Sequence, residues 1–367
     1  MAQATFDKAA LAHTLTWDAD WVTAVSFVGK TRRVAAGNNL GQIVLWDLPD
    51  KPGGDAPKPI RRLDGHTNVI SRLTSTADGR WLISASYDHT IRIWDMMATT
   101  KGSATVVLNE RTIADAEARK NNGAKVPPPL TAKVELQTAA HVVGLHKEWV
   151  GNVCLSKDEK LVLSGDDGGE VVLWNLAERK EIRRWKTKGW VYGLALSPDA
   201  KQAFVSERKP LVFDSGRLAA LNLWNAETGL VFKNLEPDFK GMHLGSAVYS
   251  PDGKMLAIGR SGEVDGTNGK VWLIDPADGK KLKEFAPGHL NGITDLAFHP
   301  DGKHLASSGR DTVVRIWNTS DGKMVKELGK PRGGQFKDWI GAVSFSSDGQ
   351  WIAGGDMAGA VLVWTCG

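Results

Sequence analysis

Two sets of residues have the types that acyl-transfer chemistry uses: His66, Ser84 and Asp88, and then His289, Ser307 and Asp311. A serine nucleophile, a histidine base and an aspartate that orients it make a workable hydrolytic triad. The two sets nevertheless share one spacing, and each stands at the same offsets before a tryptophan, Trp94 or Trp317. A unique active site has no reason to recur in register. A buried Asp–His–Ser–Trp chain does, because it satisfies polar groups and holds loops together. The expectation is therefore structural, with no catalytic residue. Cys154 and Cys366 supply neither a disulfide framework nor metal-ligand spacing, so no metal and no cofactor is expected. Cys154 lies in an apolar strand pattern and reads as a buried free thiol.

The elements that place these residues are short strands in a repeat. Thr90-Ile91-Arg92-Ile93-Trp94-Asp95 returns as Val313-Val314-Arg315-Ile316-Trp317-Asn318, and shorter versions end at Trp46, Trp174, Trp224 and Trp364. A seventh copy has Ile274 where the others have Trp. Between positions 46, 94, 174, 224, 274, 317 and 364 the gaps are 48, 80, 50, 50, 43 and 47 residues, near the roughly 40–45 of a four-stranded blade. Turns such as Ser250-Pro251-Asp252-Gly253 and His299-Pro300-Asp301-Gly302 mark hairpins upstream. Asp78, Asp158, Asp301 and Asp348 all lie 16 residues before their Trp. The 15 Trp against 3 Tyr, with 40 Gly, fit the same pattern of one Trp per unit and tight turns.

These residues resemble the WD-repeat family over nearly the whole chain. The resemblance implies an all-β fold, a seven-bladed β-propeller of four-stranded blades forming one domain over 1–367. It also implies a His-Ser-Asp-Trp tetrad per blade, complete at His66, Ser84, Asp88 and Trp94 and at His289, Ser307, Asp311 and Trp317. A third tetrad reads as partial: His146, Ser164 and Trp174, with Gly168 at the Asp position and Asp167 one place early. The chain ends just after Trp364, so the last blade lacks a fourth strand; pairing with the N-terminal segment Lys8–Leu15 would close the ring, as the family does.

Departures from the repeat are where function is expected. The long gap holds an insert at about 98–138, helical over Asn109–Lys120, with Asn109 as a cap and Asn122-Gly123 as its end. Pro127-Pro128-Pro129 then forces an extended segment. The insert reads as rim decoration or as a docking element, leaving the bottom between the third and fourth strands of the second blade. Two shorter insertions fall around Arg208–Arg217 and Arg260–Lys270; Asp265-Gly266-Thr267-Asn268-Gly269 there lacks the spaced carboxylates of a calcium loop and reads as a turn.

The residue before each inner strand is Trp21, Val69, Trp149, Trp190, His243, Gly292 and Trp339 in turn. Strand alternation makes Thr23, Tyr192 and Thr294 face the same way. In the resembled family these positions ring the channel mouth on the top face, and Tyr87 and Arg310 should face the same surface. Four indoles at one mouth either pack and plug it or mark a binding site.

The expected function is thus a non-catalytic interaction scaffold for a protein or peptide partner. The partner-binding residues would be Trp21, Trp149, Trp190, Tyr192, Trp339, His243, Tyr87 and Arg310. The protein would act as a monomeric propeller or as a subunit of a larger complex. One rival is an enzyme at the channel mouth, for which Asp20, His243, Asp295 and Asp356 are the candidates. Another is a single-stranded nucleic-acid binder stacking bases on the indoles, which lacks a basic groove. The net charge of +4, from 46 basic and 42 acidic residues, is too balanced to call for nucleic acid or a membrane surface. No signal-like or spanning apolar run is visible, so a cytoplasmic location is expected.

Overall fold

The computed structural model describes residues 5–17, 20–50, 52–100, 102–138, 141–208, 218–239, 242–261, 269–330 and 339–367. Most of the expected insertions at 208–217 and 260–270, including residues 265–268 of the turn, lie outside the described residues.

Seven sheets are arranged in sequence as the blades of a propeller, six antiparallel with four strands and one mixed with six. Within a blade the strands are called a to d from the channel outward. Strand a runs Val22–Phe27, Ile70–Ser75, Val150–Leu155, Trp190–Leu196, Leu244–Tyr249, Ile293–Phe298 and Ile340–Phe345 in blades 1 to 7. Turns of the Ser-x-Asp type join a to b: Ser250 Oγ donates to Asp252 Oδ1 at 2.6 Å while Gly253 takes φ +74°. A side chain at that φ is strained, which explains the glycine. Alternating apolar residues of strands b and c fill the space between neighbouring blades, and Trp46, Trp94 and Trp317 are wholly buried there.

The ring closes as expected. Strand Leu11–Thr16 pairs antiparallel with Ala360–Thr365, Thr16 opposite Ala360 and Leu15 opposite Val361, and so supplies strand d of blade 7. Phe6, fully buried, packs edge-on against His304 and Phe345.

The insert leaves between strands c and d of blade 2, and it is more than a helix. Strands Gly102–Val107 and Thr131–Thr138 flank helix Glu110–Ala118 and extend blade 1 to six strands. Thr131–Thr138 adds parallel to the outer strand Arg61–Asp64 of blade 1, with Glu135 opposite Arg61. Its alternating Ala132 and Val134 are buried in one cluster with Leu15, Trp17, Trp351 and Val361, at the seam where the ring closes. Asn109 stands at the helix N-terminus without a side-chain cap; its amide instead binds the Pro128 carbonyl and the Leu130 N–H. Gly123, at φ +83°, ends the following turn.

Candidate functional site

Each complete tetrad is one directional chain. Trp94 Nε1 donates to Ser84 Oγ (2.9 Å), which meets His66 Nε2 (2.7 Å), and His66 Nδ1 reaches Asp88 Oδ2 (2.7 Å). Blade 6 repeats it with Trp317, Ser307, His289 and Asp311 at 2.8, 2.7 and 2.7 Å. Because the indole donates to Ser Oγ, the hydroxyl proton goes to a neutral imidazole. Burial accordingly holds the His66 and His289 rings below the ordinary histidine range, despite their aspartate partners. Burial alone would raise the Asp88 carboxyl, but the hydrogen bonds from His66 and Thr90 hold it well below the usual range. Ser84, Ser164 and Ser307 are completely buried, so none can reach a substrate as a nucleophile.

Blade 3 corrects the sequence reading. The tetrad carboxylate is neither at position 168 nor Asp167 but Asp166, the last residue of strand b. Its Oδ2 lies 2.9 Å from His146 Nδ1, and Oδ1 accepts the Glu170 N–H at 2.7 Å. Asp167 points elsewhere, onto the top face. Blade 4 uses Glu207 at the equivalent site, where it accepts the N–H groups of Lys188 (2.8 Å) and Gly189 (3.2 Å).

The top face is the one carrying the b–c turns and the d–a connections. Around the channel mouth it forms a basin of about 430 Å³, whose walls include Trp21, Tyr87, Tyr192 and Trp339, with Arg310, Asp167 and Met357 on the rim. Arg310 lies over the Trp339 ring at 4.5 Å and Arg208 over the Tyr192 ring at 5.3 Å. Tyr87 stacks on Trp149, centroids 5.0 Å apart and 9° from parallel, and Trp149 remains 47% exposed. Trp190 is half-buried and does not line the basin. His243 departs from the expected exposed ring: it is buried at 7% exposure. Thr23 Oγ1 and Ser71 Oγ donate to the Ile70 and Val150 carbonyls of the next blade (both 2.6 Å), and Thr294 does the same to Ile340. These hydroxyls knit neighbouring blades at the mouth.

An ion pair spans the channel. Arg72 of blade 2 reaches across the channel to Asp295 of blade 6, Nη1 to Oδ1 2.7 Å, and Asp295 Oδ2 accepts the Val343 N–H at 3.0 Å. The Asp295 charge raises the Arg72 guanidinium further above its ordinary value. Of the other acidic candidates, Asp20 accepts from Asn39 Nδ2 (2.9 Å) and Asp356 from the Ala358 and Ala360 N–H groups (3.0 and 2.8 Å). Asp167 is the perturbed group at the rim: burial, with the Asp166 and Glu148 charges behind it, pushes its carboxyl up to about 6 against the pull of Arg208. Cys154 is half-buried rather than fully buried as expected, and burial of its thiol pushes it up to about 11.

Sequence reasoning missed Arg72 and Met357, and it took Asp167 for a tetrad residue rather than one at the mouth. Asp167 and Met357 occupy the b–c turn position of Tyr87 and Arg310, so counting from the blade Trp would have found them; a cross-channel ion pair between residues so far apart carries no local signal. The insert also joins this face: Arg111 Nη1 is 3.4 Å from the Met357 carbonyl and 3.9 Å from the Asp20 carboxylate.

Among the described residues, two groups have histidine and carboxylate atoms within 4.8 Å of one another, His299-Asp301-His304 and His146-Asp166-Glu170. The second is the blade 3 tetrad, in which both His146 nitrogens are already bonded. Among the described residues no helix is long and apolar enough to cross a membrane.

A seven-blade ring with repeated His-Ser-Asp-Trp chains and a strand exchanged between the termini defines a class, and the chain is a β-propeller of the WD-repeat family. The family model described as WD domain, G-beta repeat matches residues 57–95, 138–175, 279–318 and 326–365. Similar curated proteins include the serine-threonine kinase receptor-associated protein of Gallus gallus, 25% identical over 74% of this chain and 72% of that one. The small ribosomal subunit protein RACK1 of Caenorhabditis elegans is 24% identical, covering 84% of this chain and 96% of its own. The target of rapamycin complex subunit wat1 of Schizosaccharomyces pombe is 24% identical over 65% and 74%. The last two are by name components of larger assemblies.

Proposed function

We propose that this propeller is a non-catalytic scaffold that grips a protein or peptide partner on the aromatic top face around the channel mouth. The observation that carries the reading is the exposed Trp149 stacked on Tyr87, beside a basin walled by Trp21, Tyr192 and Trp339. Indoles and phenols offer contact area at low entropic cost, and exposed clusters of them mark hot spots. The blade tetrads do not require these rings. The Arg72–Asp295 crossbar spans the channel, which suits an inserted side chain or loop tip rather than a threaded chain. It also ties up the Asp295 carboxylate in an ion pair.

The test is affinity capture with the purified partner then titrated against variants. Trp149→Ala and Tyr87→Ala should each weaken binding by about 2 kcal/mol, roughly thirtyfold, without shifting the melt. Unchanged affinity in both, with folding intact, would place the partner on another surface.

A further inference from the structure

The outermost strand of a blade has a free edge, and edges of this kind are usually guarded by charge. Strand d of blade 3 carries Lys180, Glu181, Arg183, Arg184 and Lys186; that of blade 5 carries Lys281, Lys283 and Glu284; that of blade 6 carries Lys326 and Glu327. The edge of blade 1 is covered outright by Thr131–Thr138. The outer strands of blades 2 and 7, His141–Leu145 and Leu11–Thr16, carry no charged residue, but their exposed apolar side chains, Val142 and Leu145 in one and Leu11 in the other, stand singly. Strand d of blade 4, Leu230–Asn234, instead presents a run of them. Leu230, Val231 and Phe232 are consecutive, uncharged and exposed at 66%, 44% and 45%. On its inner side Val231 pairs with Trp224 and Lys233 with Leu223, so Phe232 falls in a bulge, and among the described residues the outer side of the strand has no partner strand. Ile182 and Leu282, on the outer strands of the two neighbouring blades, are exposed at 51% and 46% and add to the apolar surface of this side.

We infer that this edge is where a second copy of the chain docks, strand to strand across a two-fold axis. A two-fold brings identical strands together antiparallel, so the sequence must be complementary to itself. In the register centred on Val231, each Leu230 faces the other Phe232, Val231 faces Val231, and Lys233 faces Gly229. Apolar side chains meet apolar ones, no like charges are opposed, and the lysine stem lies over a residue with no side chain. The charged edges of blades 3, 5 and 6 do not offer such an uninterrupted apolar match. That a blade edge of this fold can accept a further strand is shown within the molecule, where blade 1 takes one from the insert.

Sedimentation velocity of the full chain over about a hundredfold range of concentration should show a monomer converting to a dimer. Val231→Lys and Val231→Glu should each weaken the dimer by about tenfold or more, because like charges then face across the axis. Both should keep the wild-type circular dichroism and melt, since the side chain is exposed. Mixing the two variants should restore dimers, because Lys then faces Glu. A wild-type chain that stays monomeric throughout overturns the inference. So does a dimer that both single variants leave intact, because its interface then lies elsewhere. Binding of some other protein's strand to this edge, without self-association, also counts against it.

Discussion

Asp166 and Asp167 are neighbours that the fold gives opposite energetic signs, and substituting them separately is a sharp test of the blade geometry. Asp166 is fully buried and accepts from His146 Nδ1 and the Glu170 N–H. Asp166→Ala leaves two buried donors without an acceptor. At about 1–3 kcal/mol for each orphaned group, the expected loss is about 3–4 kcal/mol. Asp167 is half-buried and repelled by Asp166 and Glu148, with its carboxyl raised from 3.8 to about 6. Its folded pKa lies above its unfolded one, so the unfolded chain gives up the proton first. Wild-type stability therefore falls as pH rises from about 4 to about 6, and the loss persists above that range. After allowance for its partial exposure, Asp167→Asn should recover about 1–2 kcal/mol at neutral pH and flatten that slope. Guanidinium denaturation followed by tryptophan fluorescence at pH 4, 5, 6 and 7.5 reads both effects. If Asp167→Asn proves as damaging as Asp166→Ala, the assignment of Asp166 to the tetrad is wrong.

Three other outcomes follow from the same structure. Deleting residues 1–16 removes strand d of blade 7 together with buried Phe6 and Leu15, and should sharply lower the thermal midpoint; an unchanged melt would contradict closure by that strand. His13, in the same strand, is 3% exposed, neither ring nitrogen has a hydrogen-bond partner among the described residues, and burial lowers its pKa. The unfolded chain protonates first, so the contribution of His13 to stability, intact above about pH 6.5, should be lost as pH falls below it, and His13→Phe should remove that component of acid sensitivity. His89 holds φ +70° in the turn where blades 1, 3 and 7 place Gly41, Gly169 and Gly359, so His89→Gly should raise stability by about 1 kcal/mol in chemical denaturation.

The blades were legible in the sequence because each is built by local hairpins around one core residue. The offset from Asp to Trp survives wherever the a–b turn keeps its length. The third tetrad was misread because position counting assumes that one backbone site supplies the carboxylate. Here the last residue of strand b supplies it instead, and Gly168-Gly169 completes the turn. The helix of the insert was visible in its composition. The strand Thr131–Thr138 also has visible alternation at Ala132, Val134 and Leu136, yet its partner lies on another blade some seventy residues upstream. Such pairing is set by which edge is open, and that is a property of the assembled ring. For the top face, residue types and register single out Trp21, Tyr87, Tyr192 and Trp339. The burial of His243 and the Arg72–Asp295 crossbar depend on distances across the channel, which no local pattern encodes.

The central claim is that partners dock on the top face, and hydrogen–deuterium exchange of the propeller with and without its partner tests it most directly. The reading predicts slower exchange at the top-face backbone around Trp149, Tyr87–His89, Asp167–Gly169 and Arg310, with the turns Ala77–Gly79 and Pro251–Gly253 on the opposite face unchanged. Protection confined to those opposite turns, with the top face exchanging as in the free protein, would contradict it.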